Sequence, residues 1–217
     1  MLLVEWGMTK SRTLESVCVF CGSRPGASPI FASAAAALGR AIAERGLTLV
    51  YGGAKVGLMG LLADAALRAG GRVVGVIPKG LVSKEIAHDG LTELFLSESM
   101  HDRKDRMITL SDAFVTIPGG FGTYDEFFET LTLAQIGFHD KPNALLNIDG
   151  FFDPLITLLR ETIAKGFAAP QHEGLVVVES DPNRLLDAVA AWTPPALGDK
   201  WTDRRRPGPI GPAPEEA

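Results

Sequence analysis

The stretch "LTLVYGGAKVGLMGLLADAALRAGGRVVGVI", residues 47–77, contains two apolar runs separated by a segment with a different periodicity. The runs at 47–51 and 72–77 are continuous and contain β-branched residues, which is typical of strands buried on both faces. Between them, apolar residues recur every three or four positions, which predicts an amphipathic helix. Because a crossover helix joins strands that run parallel, this stretch predicts a parallel α/β sheet.

The same alternation continues along most of the chain. Helical patterns separate further apolar runs at 16–20, 92–96, 112–117, 143–148 and 175–179. Strands that are apolar on both sides require cover on both faces of the sheet. We therefore predict an α/β fold with a Rossmann-like, doubly wound parallel sheet and helices on both faces.

Composition divides the chain into three parts. Residues 15–192 carry the alternating pattern and are predicted to form one Rossmann-like domain. Residues 1–14 are expected to be a flexible N-terminal segment. Residues 193–217 are rich in Pro and Gly, and we expect them to be a disordered tail.

Charge and residue usage narrow the possible partners and the compartment. A net charge of −5 argues against a general affinity for nucleic acid or an anionic membrane. No apolar run is long enough for a membrane span, and the first residues lack the pattern of a secretory signal, so we expect a cytoplasmic protein. Cys18 and Cys21 lie in an apolar run and the four histidines are scattered, so we expect core cysteines and no metal site.

Glycine-bearing loops follow three of the predicted strands, at 21–26, 52–60 and 118–123. In an open parallel sheet, ligands bind in the loops beyond the carboxyl ends of the strands. Glycine lets backbone amides approach a ligand closely, and the start of a following helix adds unpaired N–H groups, so such loops can hold a phosphate. None of the three matches the P-loop or the dinucleotide fingerprint. The pattern favours a mononucleotide over ATP or NAD.

Thr123 and Glu126 have two interpretations. Their T-x-x-E spacing is the capping-box pattern, in which both side chains satisfy backbone amides at the start of a helix. Alternatively, Glu126 faces a pocket, where its carboxylate accepts hydrogen bonds from sugar hydroxyls or stabilises positive charge that develops on the sugar. Spacing alone supports both interpretations.

The segment "SESMHDRKDRM", residues 97–107, predicts a helix preceded by a serine cap. Arg103 shares one face of this helix with Met100 and Met107, while Lys104 points about 100° away around the axis. An arginine in an apolar stripe reaches either solvent or a ligand site. Taken alone, the pattern favours an exposed basic helix.

Together these motifs resemble the LOG family, the cytokinin riboside 5′-monophosphate phosphoribohydrolases that are often described as lysine decarboxylases. The resemblance covers residues 15–192. The family signature P-G-G-x-G-T-x-x-E matches residues 118–126, and its Arg-Lys pair after Met-His matches residues 100–104. "FCGS" at 20–23 and "YGG" at 51–53 also fit. Two such motifs in the expected order are highly specific.

The resemblance implies hydrolysis of the N-glycosidic bond of an adenosine 5′-monophosphate, usually N6-prenylated, without a cofactor or metal. It assigns catalysis to Arg103 and Glu126. Asp125 replaces the usual family glutamate, which keeps the charge and shortens the reach. The implied substrate contacts are Gly22, Ser23, Gly53, Glu85, Met100, Lys104, Gly119, Gly120, Phe121, Gly122, Thr123, Tyr124, Asp125 and Thr132.

Several alternatives stay open. A general AMP nucleosidase is a second interpretation, and a non-catalytic nucleotide or molybdenum-cofactor carrier is a third, because related Rossmann-like proteins share P-G-G-x-G-T. Arg103 suits either the phosphate or the departing purine.

Family relatives assemble at least as dimers, so we expect a homodimer. The apolar run at 127–138 would form its interface, or would pack on its own sheet.

Overall fold

A computed structural model of the chain describes residues 13–82 and 86–197. It contains one sheet, and each strand coincides with a predicted run to within two residues. The strands are β1 (Ser16–Phe20), β2 (Thr48–Tyr51), β3 (Val73–Pro78), β4 (Glu93–Ser97), β5 (Ala113–Thr116), β6 (Asn143–Leu146) and β7 (Val176–Glu179).

Helices connect the strands throughout. Two 3₁₀ turns, Ile148–Gly150 and Pro170–Leu175, lie before and after the sixth helix. The helices are α1 (Pro29–Glu44), α2 (Gly57–Arg68), α3 (Lys79–Val82), α4 (Met100–Thr109), α5 (Phe121–Gln135), α6 (Asp153–Ala164) and α7 (Pro182–Ala191).

The sheet is parallel throughout and has the strand order β4-β3-β2-β1-β5-β6-β7. The chain builds outward from β1 to β4 and then returns through α4 to place β5 on the other side of β1. The strand order therefore reverses between β1 and β5, which is where ligands bind in open α/β sheets. This topology confirms the predicted doubly wound fold.

Helices cover both faces of the sheet at its five inner strands, whereas the edge strands β4 and β7 keep exposed side chains. Val17 and Val19 of β1 belong to the core beneath α1, α2 and α7. Cys18 and Phe20, which alternate with them, belong to the core beneath α4. Phe127 of α5 packs with the start of α6 on that second face, over β6. The alternation explains why the strands are continuous apolar runs, and the buried, unpaired Cys18 confirms its predicted place in the core.

The termini fall largely outside the described part of the chain. Of the predicted flexible segment 1–14 and tail 193–217, the structure describes residues 13–14 and 193–197. Gln171 donates a hydrogen bond to the carbonyl of Leu197, which holds the last described residues near the second 3₁₀ turn. Within residues 13–82 and 86–197, no helix has the length and apolar character to cross a bilayer.

Candidate active site

Two of the glycine loops meet beside the carboxyl ends of β1 and β5. The amide of Gly22 donates to the carbonyl of Pro118 at 3.2 Å, and the amide of Leu58 donates to the carbonyl of Gly22 at 3.0 Å. A Cβ atom on Gly22 would lie 3.2 Å from the Cα atom of Gly119, so the loops approach backbone to backbone. Leu58 lies at the start of α2, in the glycine loop 52–60. Its hydrogen bond to Gly22 brings this third loop beside the other two, so all three loops form one wall.

The start of α5 leaves backbone amides available to a ligand. Gly120 is the N-cap residue and supplies no side-chain hydrogen bond. The amides of Thr123 and Tyr124 donate to the carbonyl of Gly120. Those of Phe121 and Gly122 have no hydrogen-bond partner among the described residues. Such a helix start attracts an anion through its free N–H groups and the positive end of its dipole.

Glu126 does not cap α5, so the capping-box interpretation is wrong. Its Oε1 atom instead lies 2.7 Å from Nη1 of Arg103, in a salt bridge between two side chains from different helices. The Nε atom of Arg103 donates to the carbonyl of Val76 in β3 at 3.1 Å. Arg103 and Glu126 are each only 8% exposed. Two fixed bonds therefore orient the guanidinium fork beside the carboxylate.

The expectation of an exposed basic helix is wrong for α4. Ser99 caps the helix as predicted, and its Oγ atom accepts a hydrogen bond from the amide of Asp102. Met107 is buried against the sheet, and Arg103, one turn earlier, lies on the same buried face. The stripe is therefore packed at Met107, and Arg103 enters the interior beside it, whereas Met100 at the start of the helix is 48% exposed.

Burial changes the proton affinity of Glu126. Desolvation of the charged form raises the pKa of this carboxyl above its ordinary value, because it outweighs the stabilising charge and hydrogen bond of Arg103. A carboxylate with a raised pKa is a stronger base than a solvated glutamate, which suits proton transfer from water near neutral pH.

Lys104 makes a second set of contacts between α4 and α5. Its Nζ atom lies 3.0 Å from Oδ2 of Asp125 and 3.0 Å from Oε2 of Glu129. Burial lowers the pKa of Lys104, but hydrogen bonds and charge interactions with these two acids outweigh it, so the pKa is raised overall. Glu129 was not predicted from the sequence, although its i, i+4 spacing from Asp125 places both on one face of the helix.

A cavity of about 500 Å³ opens between the glycine loops, α3 and α4. This volume is within the usual range for small-molecule sites. Phe121 lies at its rim and is 93% exposed. Arg103 and Glu126 both line it. Its apolar side chains include Val56, Met59, Ile77, Leu81, Ile86 and Met100.

Most of the residues predicted from the sequence face this cavity. Gly119 lies directly behind the cavity wall, against Gly22, and Lys104 contacts the cavity residue Asp125. The predicted residues that line the cavity are Gly22, Ser23, Met100, Arg103, Gly120, Phe121, Gly122, Thr123, Asp125 and Glu126.

Four predicted contacts have a different position. Gly53 follows the cavity residue Gly52 with φ +75°, and Tyr124 packs beside Phe127 in the core beneath α6. Thr132 is exposed in an apolar groove outside the cavity. Glu85 lies outside the described residues. The contacts proposed for these four residues stay predictions.

The apolar side of the cavity was not predicted from the sequence. Gly52, Val56 and Met59 were within its second glycine loop, but only Gly53 was selected from that loop. Ile77, Leu81 and Ile86 belong to no motif, because each is an ordinary apolar residue near the end of β3 or α3. Only their position around the cavity distinguishes them from core residues.

Comparison with known proteins identifies the family. Residues 59–189 match the family model described as possible lysine decarboxylase. The cytokinin riboside 5′-monophosphate phosphoribohydrolase of Rhodococcoides fascians is 47% identical over 178 residues, which cover 82% of this chain and 90% of that protein. The chain belongs to the LOG family. A probable LOG-family enzyme of Oryza sativa subsp. japonica is 40% identical over 88% of this chain and 78% of its own length.

The LOG-family fold also resembles that of a solved carrier protein. The molybdenum cofactor carrier protein of Chlamydomonas reinhardtii matches with a TM-score of 0.63 and 24% sequence identity, over 83% of this chain and 98% of that one. At this identity the similarity concerns the fold alone.

Asp125 stands where the LOG family usually has a glutamate. In this chain its shorter side chain still reaches Lys104.

Proposed function

We propose that this LOG-family protein hydrolyses the N-glycosidic bond of an N6-prenylated adenosine 5′-monophosphate and releases the free cytokinin base and ribose 5-phosphate. The observation that carries the proposal is the buried Arg103–Glu126 pair, which lines a cavity between amide-rich loops and an apolar wall. The phosphoribohydrolase names of the relatives support the same reaction.

The phosphate of the substrate would bind at the glycine loops. The free amides of Phe121 and Gly122 and the positive end of the α5 dipole suit an anion. Glu126 lies further along the same helix, and it lines the same cavity as Phe121 and Gly122. The sugar would therefore present C1′ to Glu126.

Glu126 and Arg103 would have separate roles in the reaction. As the C1′–N9 bond breaks, its electron pair leaves with the purine and positive charge develops on the sugar, which the Glu126 carboxylate stabilises. Glu126 also orients water and accepts its proton as the water oxygen bonds to C1′. The salt bridge holds Arg103 at this end of the cavity, so its donors suit the departing purine better than the phosphate. The departing purine takes up a proton from solvent and leaves as the neutral base, and Glu126 returns the proton it accepted from water to solvent.

The base would lie against the apolar wall. Val56, Ile77 and Met100 contribute apolar side chains to this side of the cavity. An isoprenoid substituent on N6 would bury its carbon atoms there, at about 25 cal/mol per Å² of apolar area removed from water. The wall therefore supports a prenylated nucleotide as substrate over plain AMP.

A second copy of the chain would cover the apolar groove that contains Thr132. The groove has a volume of about 450 Å³. Leu158 is 55% exposed in it and Phe167 is 83% exposed. Phe127 packs inward while the next residue, Phe128, faces the groove, so the run at 127–138 serves the core and this surface together. A homodimer would bury these side chains.

Two unpaired cysteines suit the cytoplasm, which we propose as the compartment.

The first prediction concerns the catalytic pair. Wild-type protein incubated with N6-isopentenyl-AMP should release the free base, measured by chromatography. Glu126→Gln and Arg103→Lys should each lower kcat/KM by at least about 100-fold. Glu126→Gln removes the carboxylate charge, and Arg103→Lys removes the planar donor fork of the guanidinium. Product formation by Glu126→Gln at the wild-type rate would contradict the assignment.

Two variants provide matched controls for this assay. Arg106→Ala removes an exposed arginine from the same helix, where it lies over the Phe95 ring. Glu161→Gln removes an exposed glutamate that pairs with Lys165. Both should retain wild-type activity. Thermal unfolding of all four variants separates loss of chemistry from loss of fold.

The second prediction concerns pH. Because Glu126 acts as a carboxylate and burial raises its pKa, kcat/KM should fall as pH decreases, with a midpoint above the ordinary glutamate value of 4.5. The substrate phosphate also titrates, at about pH 6, so Glu126→Asp is the control. If the Glu126 carboxyl determines the pH midpoint of kcat/KM, the midpoint shifts in Glu126→Asp. If the substrate phosphate determines it, the midpoint stays the same. Activity that rises as pH falls through this window would contradict the role.

The third prediction concerns assembly. Light scattering should give twice the mass of one chain for the wild type. Leu158→Glu should give the mass of one chain, because it places a charge in the apolar groove. The control is Leu96→Glu, which changes an exposed leucine on β4, at the opposite edge of the sheet. A monomeric wild type, or a Leu158→Glu variant that stays dimeric, would contradict the proposed interface.

A further inference from the structure

Gly52 lies directly after β2, where the Arg103 guanidinium passes on its way from α4 to Glu126. We propose that Gly52 is a positioning residue for Arg103: the missing side chain leaves the space that the guanidinium fork occupies. The inference rests on the proposed function, because it gives Gly52 a role in the same reaction.

The space is too small for any side chain. An ideal Cβ atom on Gly52 would lie 2.2 Å from Nη2 of Arg103 and 3.4 Å from its Cζ atom. The first distance is far below van der Waals contact, so an alanine and the present guanidinium cannot coexist. The Sδ atom of Met59, at 3.1 Å, belongs to a flexible side chain that can move aside by a few tenths of an ångström.

The backbone at position 52 does not itself require glycine. Gly53 has φ +75°, a conformation that L residues rarely adopt, whereas Gly52 is not among the residues with positive φ. Alanine at position 52 therefore introduces no backbone strain. Space for Arg103 is the constraint at Gly52, and backbone conformation is the constraint at Gly53.

Arg103 cannot move away without losing its orientation. Nε is bound to the Val76 carbonyl and Nη1 to Glu126. Nη2 has no hydrogen bond to another described residue, and both Gly52 and Arg103 line the cavity, so Nη2 is the donor left for a ligand. A methyl group at position 52 would displace that donor and rotate the rigid fork away from at least one of its two partners.

The experiment is a Gly52→Ala substitution. It should lower kcat/KM for N6-isopentenyl-AMP by about 100-fold, the loss associated with a displacement of about 1 Å in a catalytic group. Gly80→Ala is the control, because a Cβ atom there meets nothing within 4 Å and Gly80 also lacks a positive φ. It should retain wild-type activity. Wild-type kcat/KM for Gly52→Ala would overturn the proposal.

A second measurement does not depend on the reaction. Gly52→Ala should lower the Tm of the wild type, because it breaks a buried hydrogen bond of Arg103. In an Arg103→Lys background, which lacks Nη2, the same substitution should leave the Tm unchanged. An equal decrease in both backgrounds would overturn the proposal, since the clash would then involve other atoms. A wild type without hydrolase activity would refute the proposed function and leave this Tm comparison able to decide the role of Gly52.

Discussion

A guanidinium and a carboxylate lie 2.7 Å apart beneath the carboxyl edge of the sheet, both almost removed from water. Removing one partner of such a pair leaves an uncompensated buried charge and costs about 3–5 kcal/mol, so each side chain constrains the other. Arg103 comes from the helix that follows β4, and Glu126 from the helix that follows β5. The pair therefore joins the two halves of the doubly wound sheet across the point where the strand order reverses.

The rest of the cavity is organised around this pair. Because all strands run parallel, their carboxyl ends lie at one edge, and the loops that follow β1, β2 and β5 meet there. The amide-rich side lies at β1 and β5, the apolar side at β3 and α3, and the charged pair belongs to the same cavity. An anion suits the amide-rich side, a sugar that develops positive charge suits the charged pair, and an apolar base suits the apolar side. This arrangement links the fold to the proposed hydrolysis.

The fold was predictable because the five inner strands are buried on both faces and are therefore continuous apolar runs. The glycine loops were predictable for a similar reason, since close backbone approach excludes side chains at positions such as Gly22. The direction of Arg103 was not, because an arginine in an apolar stripe reaches either solvent or the interior. The capping-box spacing of Thr123 and Glu126 was equally ambiguous, since the salt bridge that decides it joins residues 23 positions apart. Local pattern carries no information about that contact.

The convergence of phosphate, sugar and base on this cavity is tested most directly by a crystal structure of Glu126→Gln with N6-isopentenyl-AMP bound. We expect phosphate oxygens within about 3 Å of the Phe121 and Gly122 amides. We also expect C1′ to face residue 126 and the isopentenyl group to lie against Val56 and Ile77. A nucleotide in the apolar groove beside Thr132, or one with its phosphate on Arg103 and its sugar turned away from residue 126, would contradict it.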